Sequence, residues 1–66
     1  MGENKSEIIQ KLKELLQITR AGSGIKELIL DERERYVTIV YEGGNKRVNV
    51  EGDSGIALIR DVTRSV

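Results

Sequence analysis

The chain has 66 residues, and its 11 Lys and Arg residues balance its 11 Asp and Glu residues, so the formal net charge is zero. A chain of this length forms one domain and buries only about 60% of the surface that its unfolded form exposes. It contains no cysteine and no histidine, which excludes disulfide bonds, thiolate metal sites and imidazole ligands or proton shuttles. We therefore predict a single domain, 1–66, that needs no metal or cofactor and gains stability by associating with itself.

Charge and hydropathy also limit the partners. Zero net charge provides no long-range attraction to nucleic acid or to an acidic membrane. No apolar run approaches the roughly 20 residues that span a bilayer, and the segment Met1–Ser6 lacks the apolar stretch of a signal peptide. We expect a cytoplasmic protein with no membrane partner.

The first segment with helical periodicity runs from about Ser6 to Thr19. Its apolar residues recur at the spacing of one helix face, and they are Ile8, Ile9, Leu12, Leu15 and Leu16. Ser6 is the predicted N-cap. The segment Gly22-Ser23-Gly24 is predicted to stop the helix, because glycine permits positive φ.

From Ile25 onward the period changes to two, which predicts three strands. Their predicted ranges are Ile25 to Leu30, Arg35 to Glu42, and Lys46 to Val50. The charged bend Asp31–Glu34 separates the first two strands, and Gly43-Gly44-Asn45 supplies positive-φ residues for a tight hairpin between the last two. Two successive hairpins make an antiparallel meander.

A final helix follows, for which Asp53 or Ser54 is the predicted N-cap. The element order is αβββα, and the predicted fold class is α+β, with two helices packed on one face of a three-stranded antiparallel meander. Alternation places Val37, Ile39 and Tyr41 on the covered face together with their neighbours on the other strands.

The other face of the sheet would carry a mixture of apolar and polar side chains, namely Ile29, Tyr36, Thr38, Val40, Arg47 and Asn49. One interpretation is a contact surface, because its centre is apolar and its edge is polar. The alternative is that these are ordinary half-exposed strand residues. The interface residues predicted under the first interpretation are Ile29, Thr38 and Val40.

No catalytic apparatus is predicted. Nucleophilic triads need a general base, and this chain has no histidine to activate Ser54 within Gly52-Asp53-Ser54-Gly55. The carboxylates Asp31, Glu32, Glu34 and Glu42 alternate with arginines in turns, as in a solvated charge mosaic. We therefore predict that the protein is not an enzyme.

The start of the last helix is the predicted anion site, because free backbone N–H groups and the positive end of the helix dipole meet there. The ligand-binding residues predicted around it are Lys46, Arg47, Ser54, Gly55 and Arg60, with Tyr36 or Tyr41 stacking on a base. Asp53 counts against the site, since its carboxylate competes for the same N–H groups.

The order αβββα resembles the double-stranded-RNA-binding domain in topology and length. That family has a lysine-rich motif at the start of its last helix, where this chain has Asp53-Ser54-Gly55-Ile56-Ala57. With only two tyrosines as aromatic residues and zero net charge, the sequence disfavours binding to RNA or other nucleic acid.

The stretch from Tyr36 to Arg60 resembles short phage and prophage proteins of Gram-positive bacteria. It consists of a Val/Ile/Tyr strand, a Gly-Gly-Asn turn, Lys46-Arg47-Val48-Asn49-Val50, and Asp53-Ser54-Gly55-Ile56 with its continuation. The resemblance implies a viral anti-defence protein acting in the host cytoplasm. The element order also resembles one family of anti-CRISPR inhibitors, but those are acidic DNA mimics and this chain is neutral.

Two functional hypotheses follow. The first is a homo-oligomer, a dimer or larger, that sequesters a small phosphorylated ligand such as a nucleotide signal, with pockets completed across a symmetry axis. The second is an interaction module that masks a host protein through the uncovered sheet face or by adding a strand to a sheet edge.

Overall fold

A computed structural model of the chain describes residues 4–66, so Met1 to Glu3, the first half of the segment Met1–Ser6, lie outside the described part. The elements are α1 (Lys5–Gln17), β1 (Ile25–Leu30), β2 (Tyr36–Tyr41), β3 (Gly44–Asn49) and α2 (Gly55–Ser65). The order α-β-β-β-α confirms the predicted α+β fold. Within residues 4–66, none of the helices has the length and hydrophobicity needed to cross a bilayer.

Helix α1 begins earlier than the sequence predicted. Its N-cap is Asn4, whose side-chain oxygen accepts a hydrogen bond of 3.1 Å from the backbone N–H of Glu7. The prediction of Ser6 as the cap is wrong, because Ser6 lies inside the first turn. Asn and Ser are equally good N-caps. Asn4 is the residue at the boundary of the helix, where the N–H groups of the first turn have no backbone partner.

The end of α1 depends on a close backbone approach. The hydroxyl of Thr19 donates to the carbonyl oxygen of Leu16 at 2.6 Å and accepts from the N–H of Gly22 at 3.0 Å. Gly22 thereby packs so tightly that a Cβ there would lie 2.8 Å from the carbonyl carbon of Leu16. Helix α1 ends at Gln17, before the predicted stop Gly22-Ser23-Gly24. The stop does not use the positive φ that glycine permits, since the positive-φ residues in the described part are Glu34, Gly44 and Gly52.

The three strands form one antiparallel sheet in the order β1-β2-β3, as predicted. Tyr41 pairs with Gly44, so the hairpin loop is Glu42-Gly43 and β3 begins two residues before its predicted start at Lys46. In β1, the register shifts between Ile25 and Glu27. This bulge allows Ile25 and Leu28, three residues apart, both to be buried.

Both helices cover one face of the sheet, which confirms the predicted layer arrangement. Side chains from all five elements meet in a single core together with Val50, which directly follows β3. The core residues from the elements are Ile9, Leu12, Leu16, Ile25, Leu28, Val37, Ile39, Val48, Leu58 and Val62. Tyr41 and Leu30 pack against this core and are partly buried.

The two helices start at the same end of the sheet. The side-chain amide of Gln17, the last residue of α1, donates to the carbonyl of Ile25 at the start of β1, at 3.0 Å. The ammonium group of Lys46 near the start of β3 donates to the carbonyl of Ser65 at the end of α2, at 2.9 Å. Each helix therefore runs antiparallel to the strand beside it, and the helices run parallel to each other.

Replacing Gly22 tests the close approach at the end of α1. We expect Gly22→Ala to lower the free energy of unfolding by about 1–3 kcal/mol, because the new methyl group would overlap the Leu16 carbonyl group. The matched control is Gly24→Ala, where a Cβ has nothing within 4 Å. Chemical denaturation should show the control as stable as the wild type or slightly more stable. Equal losses in both variants would contradict the expectation.

Candidate functional site

The side of the sheet that faces away from the helices carries the six residues expected there, and we call it the open sheet face. Cross-strand pairing aligns Ile29 with Thr38 and Thr38 with Arg47 in one row across the sheet. Tyr36 pairs with Asn49 at one end of the face. Alternate residues of a strand point to opposite sides. Along β2, Tyr36 and Thr38 therefore lie on the open sheet face, while Val37 and Ile39 point to the core.

A shallow pocket lies at one end of the open sheet face. Its volume is about 270 Å³, and it is lined by Ile29, Asp31, Arg35, Tyr36, Thr38 and Arg47. We call this cavity the open-face pocket.

Two arginines lie close to the one aromatic ring in the open-face pocket. The guanidinium carbon of Arg47 is 5.1 Å from the ring centroid of Tyr36, and that of Arg35 is 5.8 Å from the same centroid. Both distances fall within the range of a cation–π contact. The ring therefore holds two positive charges beside the pocket, and the Thr38 hydroxyl and the Ile29 side chain complete its lining.

The turn between β1 and β2 positions Arg35. Within it, the carbonyl of Asp31 accepts from the N–H of Glu34 at 2.9 Å, and the Asp31 carboxylate accepts from the N–H of Arg33 at 3.3 Å. Glu34 has a φ of 56°, a left-handed conformation that turns the chain into β2. The turn thereby places the side chain of Arg35 next to Asp31, which accepts both of these hydrogen bonds.

The ion pair with Asp31 does not satisfy the hydrogen-bonding capacity of the Arg35 guanidinium group. Its Nε atom lies 3.7 Å from the Asp31 carboxylate, which is too long for a hydrogen bond. The same Nε is buried and has no hydrogen-bond partner in the described part of the chain. A buried donor without an acceptor calls for an explanation, and an anion in the open-face pocket would supply one.

The chemistry of the pocket suits an anion attached to a flat or apolar group. Two guanidinium groups face a single carboxylate, Asp31, so positive charge is in excess. Guanidinium groups bind phosphate through paired, charge-assisted hydrogen bonds. The Tyr36 ring and Ile29 offer apolar contact to the rest of such a ligand.

The structure brings together only part of the predicted ligand set. Tyr36 and Arg47 meet in the open-face pocket. Lys46 lies on the helix-bearing side, bound to the carbonyl of Ser65 at the end of α2. Tyr41 is partly buried against the core, and Arg60 is exposed on α2.

Ser54 and Gly55 lie together at the start of α2. Ser54 is the N-cap, and its hydroxyl accepts a hydrogen bond of 3.2 Å from the N–H of Ala57. This bond uses one of the N–H groups on which the predicted anion site depended. Gly55 is buried.

The residue before that cap makes the start of α2 less suitable for an anion. A hydrogen bond shared with the carboxyl group of Asp61 raises the pKa of Asp53 above its usual range, and burial adds to this shift, while Arg60 and Lys5 oppose it. The Oδ2 atom of Asp53 is buried and receives no hydrogen bond from residues 4–66. Two adjacent carboxyl groups repel a further negative charge.

Sequence reasoning missed two pocket residues, Asp31 and Arg35. Their signal was present, because an acidic and a basic residue four positions apart flank the turn and Arg35 directly precedes Tyr36.

Among the described residues, no three His, Cys, Asp or Glu side chains are grouped as a metal site requires.

Replacing Asp61 tests the carboxyl pair. A raised pKa means that the folded state holds the Asp53 proton more tightly than the unfolded state, so this contribution to stability is present below the ordinary value of 3.8 and is lost as pH rises through the folded pKa. We expect Asp61→Asn to raise Tm at pH 7 and to lose that advantage below about pH 4.

The control for this prediction is Glu42→Gln, which removes an exposed carboxylate in the hairpin loop between β2 and β3. Thermal unfolding followed by circular dichroism across pH measures both variants. A gain in Tm that is the same at pH 3 and pH 7, or one that Glu42→Gln reproduces, would show that the Asp53–Asp61 pair is not its source.

Comparisons of the chain with protein-family models, with curated proteins and with solved structures found no match. The resemblances to phage proteins, to the RNA-binding domain and to anti-CRISPR inhibitors therefore stay predictions. The open sheet face and its pocket are the observations on which a function can be based.

Proposed function

We propose that this protein is a non-enzymatic binding protein whose open-face pocket holds the phosphate group of a small phosphorylated ligand. The observation that carries the proposal is the convergence of Arg35 and Arg47 on the ring of Tyr36, at 5.8 and 5.1 Å from its centroid. Arginine is the residue best suited to paired hydrogen bonds with phosphate oxygens.

The size of the pocket limits what it can enclose. Its 270 Å³ is slightly below the roughly 300–1,000 Å³ that is usual for ligand pockets. It would accommodate a phosphate and part of the attached sugar or base, with the remainder lying along the open sheet face. In a phage protein, such binding would remove a nucleotide signal from the host, which is the predicted anti-defence role.

A second candidate function is masking of a partner protein by the open sheet face. The observation that favours it is the exposure of Ile29, whose side chain is 51% exposed. Ile29 lies in the same cross-strand row as Thr38 and Arg47. An exposed isoleucine beside polar residues is typical of a protein contact surface. A Val40→Arg substitution, on the same face but outside the pocket lining, should weaken this activity and spare phosphate binding.

Calorimetric titration tests the ligand hypothesis. The probes are inorganic phosphate, adenosine, adenosine monophosphate and a panel of linear and cyclic nucleotides. We expect binding only to phosphorylated probes, weakening with added salt because the contacts are ionic. Arg47→Gln should reduce the affinity about tenfold or more, since a hydrogen bond to a charged group contributes about 1.5–3 kcal/mol.

Arg20→Gln is the matched control, because it removes an exposed arginine from the loop between α1 and β1. It should leave the affinity unchanged. Failure of every phosphorylated probe to bind would refute the proposal, as would equal losses in the Arg47 and Arg20 variants.

A further inference from the structure

The exposed apolar residues of the chain are concentrated on the helices. Among residues 4–66, five large hydrophobic residues are exposed, and four of them belong to α1, its C-cap or α2: Leu15 at 60%, Ile18 at 82%, Ile56 at 73% and Ile59 at 39%. The fifth of these described residues, Ile29, lies on the sheet. The outward surface of the helices is therefore the more apolar of the two broad surfaces, and we call it the helical face.

These residues follow a groove between the helices. A cavity of about 200 Å³ lies there, lined by Ile8, Lys11, Leu12, Leu15 and Ile59. Ile18 is three residues after Leu15, and Ile56 is three residues before Ile59, so each lies one turn along the same side of its helix. The apolar surface thus extends along both helices beyond the cavity.

Charges of opposite sign border this groove. On α1, the exposed residues Glu7, Lys11 and Glu14 follow one another at helical spacing, and Lys11 forms an ion pair with Glu7 at 3.4 Å. On α2, the exposed residues are Arg60 and Arg64, four positions apart. Within residues 4–66, neither Glu14 nor Arg64 forms an ion pair with another side chain.

We propose that the helical face binds a second copy of this chain as a two-fold symmetric dimer. A two-fold axis parallel to the helices and between them would place α1 of one copy against α2 of the other. Glu14 would then face the partner helix that carries Arg60 and Arg64, and the same contact would occur twice. Opposite charges on the two helices make this surface complementary to itself.

The available area is sufficient for such a dimer. A standard interface buries about 800 Å² of each partner, which is about a sixth of the 4655 Å² surface of this chain. One broad face of a molecule with extents of 34 × 19 × 17 Å can supply it. The proposal does not rest on the proposed ligand, because the open sheet face lies on the other side of the sheet and stays free in both copies.

Light scattering coupled to size-exclusion chromatography, with sedimentation equilibrium, tests the dimer on the full chain. We expect a mass of two chains of 7.4 kDa each. Ile56→Glu should give a monomer that keeps its fold by circular dichroism, because Glu is favourable in the first turn of a helix. Ile29→Glu, on the open sheet face, is the matched control and should remain dimeric.

Charge reversal tests which helices meet. Glu14→Arg and Arg64→Glu should each weaken the dimer about three- to tenfold, since exposed ion pairs contribute up to about 1 kcal/mol and the pair occurs twice. Combining them should restore most of the affinity. A double variant weaker than both single variants, or single variants without effect, would overturn the arrangement.

A wild-type chain that stays monomeric at the highest concentration would overturn the dimer itself, as would dissociation by Ile29→Glu but not by Ile56→Glu. Failure of the dimer is distinguishable from failure of the ligand hypothesis. The Ile56→Glu monomer should still bind phosphorylated probes, and Arg47→Gln should remain a dimer.

Discussion

The pairing register of the central strand β2 is the constraint on which the rest of the structure depends. Val37 and Ile39 are fully buried under the helices, while Tyr36 and Thr38 face the other way. A slip of one residue would exchange the two sets, exposing the core and burying the pocket. The hydrophobic core and the open-face pocket are therefore two consequences of one register.

Much of this fold is predictable from the sequence, because the alternation in β2 is strong and two apolar helical stripes flank the strands. The errors lie where several residues could serve the same local purpose. Asn4 and Ser6 are both good helix caps, and only the hydrogen bond from the N–H of Glu7 distinguishes them. Likewise, the run Gly43-Gly44-Asn45 permits more than one hairpin register, and pairing of Tyr41 with Gly44 selects the loop Glu42-Gly43.

The candidate site is less predictable, because proximity in sequence does not give proximity on a sheet. Lys46 and Arg47 are neighbours in the chain, yet they point to opposite sides of β3, one to the end of α2 and the other to Tyr36. Tyr36 and Tyr41 are five residues apart on β2 and are separated in the same way. Arg35 precedes the strand, so strand alternation does not place it, and its position depends on the turn around Asp31.

Although the net charge of the chain is zero, its charged residues are distributed differently on the two proposed binding surfaces, the open-face pocket and the helical face. Arg35 and Arg47 leave the open-face pocket positive against one carboxylate, while the helical face carries Glu14 on one helix and Arg60 and Arg64 on the other. A uniformly positive surface would attract phosphate but repel a second copy. Placing the excess positive charge on one side of the sheet and balanced charge on the other allows ligand binding and self-association to coexist. A dimer formed through the helices would then present two pockets directed away from each other, each complete within its own copy.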